Sequence, residues 1–121
     1  MRIRHLVGVA ALSGAVTVSA QAPPAAPVTF SEHIAPIVFA NCTTCHRPGE
    51  AAPFQLLSYR DARPLAKAIA AATASRVMPP WKPAATDYPF HDPRGLTTQQ
   101  IELLQRWAAD GAPDGDPAKL P

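Results

Sequence analysis

The sequence predicts an all-α domain, on three observations. Apolar residues recur at helical spacing in several stretches, helix-start and helix-stop residues bracket them, and no segment alternates apolar and polar residues convincingly over a strand length. There is no internal repeat. At 121 residues, 47% of them hydrophobic, the chain is expected to form one domain with one small core rather than a disordered polymer.

Residues 1–20 have the three-part layout of a secretory signal peptide: basic Arg2 and Arg4, an apolar run from Leu6 to Val18 broken only by small residues, then Ser19-Ala20. That run is shorter than the ~20 apolar residues of a spanning helix, so cleavage after Ala20 is expected, leaving no stable membrane span. Residues 21–28, with Pro23, Pro24 and Pro27 among alanines, read as an extended linker. After leader removal the charge balance is expected to be neutral: eleven basic residues face nine acidic ones, and losing Arg2 and Arg4 equalises them. No basic block argues for nucleic acid or an anionic membrane surface.

A domain over residues 29–111 follows. Thr29 and Glu32 have capping-box spacing, and Phe30, Ile34, Ile37 and Val38 form an apolar face. Pro36 inside this stretch predicts a kink or a late helix start. From Arg47 to Leu57 the chain is loop-like, broken by Pro48, Gly49 and Pro53, with Phe54, Leu56 and Leu57 expected to face apolar surroundings. Ser58 and Asp61 open a second helix that continues through Leu65, Ile69 and Ala72, again with an early proline, Pro64. Met78-Pro79-Pro80-Trp81 ends it, because prolines hold the backbone extended. The last helix has Thr97 and Gln100 as its box, Leu96 stapled to Ile101, a stripe through Leu104, Trp107 and Ala108, and Gly111 as its stop. Residues 112–121 read as a tail.

The strongest chemical signal is Cys42-Thr43-Thr44-Cys45-His46. Two thiols that can add to vinyl groups and an imidazole that can reach an iron, all within one helical turn, are the requirements for covalent haem attachment. Other chemistries fit less well. A thioredoxin-like redox pair belongs on a strand-to-helix turn, and no strand pattern is present. Zinc needs four ligands, and only His33 and His91 remain, at spacings unlike a zinc finger. A disulfide here closes too short a loop to stabilise much.

With this motif, Phe30, Ile34, Pro36 and Ile37 before it, Pro53-Phe54, Ser58-Tyr59, Asp61-Ala62, Arg76, Met78-Pro79-Pro80-Trp81, and Leu96-Thr97 through Trp107-Gly111 together resemble a bacterial c-type cytochrome domain. The resemblance spans most of the mature chain. It implies a small cytochrome c-like bundle of three or more helices around one covalent haem c, with Cys42 and Cys45 as thioether sites and His46 as the proximal iron ligand.

Met78, the one methionine left after leader removal, is then the expected distal ligand, since a loop methionine completes the iron in cytochromes of this kind. The alternative for Met78 is a core gap-filler. Trp81 is a candidate for packing on the haem, and His33 and His91 are alternative distal ligands. The implied function is single-electron transfer between periplasmic protein partners, as a carrier and not an enzyme. The alternatives are a haem domain or subunit of a larger oxidoreductase, or a ligand-binding haem protein if Met78 does not bind iron. Arg47, Arg60, Arg63 and Arg76 are candidates for pairing with haem propionates or steering an acidic partner.

Overall fold

The computed structural model describes residues 26–81 and 94–121. The expected leader, residues 21–25 of the expected linker, and His91 lie outside the described residues. Four α-helices are present, with no strand among the described residues: α1 (Ala35–Asn41), α2 (Tyr59–Ala62), α3 (Ala66–Ala74) and α4 (Thr98–Ala109). None is long and apolar enough to cross a membrane.

The first helix starts through a wider turn, Phe30–Ile34, closed by i→i+5 bonds from Ile34 N to Thr29 O and Ala35 N to Phe30 O. Pro36 then falls in the opening turn of α1, where a missing N–H costs least. The wide turn also undoes the expected capping box. Thr29 N–H donates to His33 Nδ1 (3.2 Å), because the turn brings the residue four positions on, rather than Glu32, back over the helix start. Glu32 pairs instead with Lys119 Nζ at 2.7 Å.

Ser58 caps α2 as expected: its hydroxyl accepts from Asp61 N and donates to Asp61 Oδ2, while Leu57 N donates to the same carboxylate. Pro64 does not sit within a continuous helix. It lies in a tight 3₁₀ turn, Arg63–Leu65, which separates α2 from α3. Helix α3 stops before the prolines, where Arg76 takes a left-handed conformation (φ 56°) and the Val77 and Met78 N–H groups both donate to Ala72 O. Helix α4 has the full Thr97–Gln100 capping box. It ends with Gly111 at φ 85° and Ala112 N donating to Trp107 O, the long closing bond of a glycine-terminated helix.

The core is built around Phe30, whose ring meets Tyr59 (5.5 Å between centroids), Trp107 (5.9 Å) and Phe39 (6.3 Å). Trp107 is 0% exposed and its indole N–H donates to Pro113 O. Both expected flanking segments enter this core. Val28, at the end of the linker, is 2% exposed, and Ala112, at the start of the tail, is 4% exposed. Pro113 O also accepts from Phe30 N, Asp114 O accepts from Ser31 N, and Ala112 O accepts from the Tyr59 hydroxyl. Gly115, at φ 88°, passes so close to Thr29 that a Cβ there would meet the threonine side chain at 2.6 Å. Composition marked these residues as tail because main-chain acceptors leave no trace in side-chain pattern.

Truncation after Ala112 removes the acceptors of Phe30 N, Ser31 N and the Trp107 indole. Each stranded buried donor costs about 1–3 kcal/mol. The truncated chain is expected to lose several kcal/mol in urea unfolding, or to fail to fold, whereas removing only Leu120 and Pro121 leaves the midpoint within error.

Candidate functional site

The Cys42–His46 segment continues α1 as tight turns: Cys42 N donates to Val38 O (2.8 Å), and the Cys45 and His46 N–H groups both donate to Cys42 O. The following loop folds back over the motif through Ala52 N to Cys45 O and Leu56 N to His46 O. This return places Phe54 on His46, with ring centroids 4.6 Å apart and the Phe54 carbonyl 3.2 Å from His46 Nδ1. A carbonyl can only accept, so this contact puts a proton on Nδ1 and leaves Nε2 with its lone pair in the neutral ring. Metal-binding histidines are oriented by such a bond.

These residues line a cavity of about 700 Å³. Its walls are the end of α1 from Ala40, the motif itself, the loop around Phe54 and Leu56, one face of α3, the Met78–Pro80 segment, and Arg94. The α3 face is Ala68, Ile69, Ala72 and Thr73, and its small side chains leave width beside the helix. Asn41 and Thr73, although polar, donate to Ile37 O and to Ile69 and Ala70 O within their own helices.

Cys42, Cys45, His46 and Met78 therefore share one cavity. Met78 is 41% exposed at its rim. Trp81 does not line the cavity; its ring lies against Gly95, where a Cβ would come within 3.3 Å of Trp81 Cδ1. His33 is also off the wall, its Nδ1 engaged by Thr29. Arg47 pairs with Glu50, Arg76 donates to Leu96 O, and none of Arg47, Arg60, Arg63 or Arg76 lines the cavity. Arg94 does line it and was not anticipated, since a lone arginine in a Pro/Gly loop carries no local pattern.

Both cysteines are free thiols, and burial pushes the Cys42 thiol up to about 11. Among the described residues no three His, Cys, Asp or Glu side chains converge as a metal-chelating group. The chain matches no family model, no curated protein and no solved structure.

The raised Cys42 pKa has a measurable consequence. Against an ordinary thiol near 9.0, its thiolate population at pH 8 is lower by roughly 100-fold, and alkylation slows with it. Mass-spectrometric iodoacetamide labelling of the free-thiol chain should find Cys42 slow at pH 8 and still accelerating above pH 10, with the retardation gone in urea.

Proposed function

We propose that this chain is an exported monohaem c-type cytochrome that carries single electrons between periplasmic protein partners. The carrying observation is that two segments remote in sequence, Cys42–His46 and Met78, line one largely apolar cavity in which His46 is already oriented by Phe54 O. The volume lies within the range of about 300–1,000 Å³ typical of ligand sites. In this reading Cys42 and Cys45 would hold the ring edge as thioethers, and His46 Nε2 and Met78 Sδ would hold the iron.

Haem bound there supplies a one-electron iron couple whose potential follows axial ligand and burial. The chain's own part is to orient and exclude. Phe54 stops the imidazole rotating, and the α3 face with Leu56 keeps water from that side of the cavity. Exposure of Met78 favours a second reading, in which the thioether is displaceable and the protein binds a small ligand at iron.

Periplasmic expression with c-type maturation is expected to give one haem per chain that survives a denaturing gel and is lost in Cys42→Ser/Cys45→Ser. Absence of covalent haem in the native sequence would overturn the proposal. Met78→Ala should abolish the weak red-edge absorption band of the oxidised protein and lower its potential. Rapid carbon monoxide binding by the reduced native protein would instead establish the ligand-binding reading.

A further inference from the structure

Apart from the Cys-Thr-Thr-Cys-His segment, the cavity wall carries one ionisable side chain among the described residues, Arg94. Its guanidinium makes no hydrogen bond or ion pair with any described residue, and it is exposed at the rim. The remaining polar groups of the wall among the described residues are committed or uncharged. Asn41, Thr73 and His46 Nδ1 engage main-chain carbonyls, and the Thr44 hydroxyl bears no charge. The other ionisable groups that face the cavity among the described residues are Cys42, Cys45 and His46, all on one turn.

The main chain that carries Arg94 is held in place. Gly95 lies against the Trp81 ring, Leu96 is buried, and Leu96 O accepts from Arg76 Nη1 at 3.3 Å. Both contacts tie this segment to the stretch Arg76–Trp81 that presents Met78. A carboxylate brought to an apolar wall must be paired or kept in water. A rim arginine does both, because its planar fork can take the two oxygens while solvent still reaches them.

We infer that Arg94 is the carboxylate anchor of the cavity: it receives an anionic carboxylate of the bound ring and fixes which ring edge faces that wall. This rests on the haem reading, under which the carboxylate is a propionate. Arg94 then keeps the propionate ionised, and Trp81 acts as a buttress for the anchoring segment rather than as a ring contact.

The test is the midpoint potential of the holoprotein as a function of pH, for the native sequence, Arg94→Gln and Arg94→Lys, each checked for covalent haem on a denaturing gel. An opposite charge lowers a carboxylate pKa by about 1–3 units, so its loss in R94Q raises the propionate pKa by that amount. Protonation favours the reduced form. The R94Q potential is therefore expected to fall with rising pH across the neutral range, where the native potential is flat. At the alkaline end it should lie below native, because the oxidised iron has lost a nearby cation. R94K, which keeps the charge without the fork, should fall between the two.

Profiles of R94Q and R94K superimposable on native, with haem in place, would overturn the role of Arg94 alone. Native protein without covalent haem would overturn the haem reading and this inference with it. If R94Q fails to accumulate, R94K carries the test: a displaced profile supports the anchor and a native one overturns it.

Discussion

One carbonyl, that of Pro113, organises the fold. It accepts from the Trp107 indole at 3.0 Å and from Phe30 N at 2.9 Å, so the end of α4 and the beginning of the first helix share a single acceptor. A buried indole N–H without a partner costs as much as a good hydrogen bond provides, so the acceptor is a condition for burying Trp107 at all. Once Trp107 is buried, Phe30 can pack on it, and Tyr59 can pack on Phe30 while donating to the neighbouring Ala112 carbonyl. Three helix ends are thereby gathered at one place.

That arrangement dictates where the cavity lies. Phe30 anchors the beginning of the first helical segment, so Asn41–His46 is carried away from the aromatic cluster to the other end of α1. There the neighbouring wall is α3, whose Ala68 and Ala72 are too small to close the space. The Met78 wall depends on Arg76. A left-handed conformation at a residue other than glycine costs on the order of 1 kcal/mol, and here it comes with a bond from the Arg76 guanidinium to Leu96 O. The turn that presents Met78 is thus linked to the lead into α4, and through α4 to the Trp107 cluster.

Features whose physics is confined to a few neighbouring residues were legible in the sequence. The Thr97–Gln100 box, the Ser58–Asp61 cap, the Gly111 stop and the Cys42–His46 turn each need only their own side chains. The Thr29–Glu32 box was equally regular on paper and did not form, because Pro36 favoured a wider first turn that handed the Thr29 amide to His33. The role of residues 112–115 was invisible for a different reason: what they contribute is carbonyl oxygens and, at Gly115, the absence of a side chain beside Thr29. The position of Arg94 on the cavity wall was missed because that wall is assembled from four segments distant in sequence.

The electrostatics of the Cys42 thiol bear on which chemistry the motif performs. A redox-active dithiol or a thiolate metal site needs a thiol that ionises readily, and proteins arrange this with a helix N-terminus or a nearby cation. Cys42 lies past the C-terminal end of α1, where the helix dipole opposes a thiolate, and burial raises its pKa further. Its environment suits a neutral sulfur against an apolar ligand, which is what a thioether to a ring edge is. Under the proposed haem reading Cys42 sits beside the cavity as a neutral sulfur, whereas disulfide exchange and zinc binding each call for a thiolate at that position.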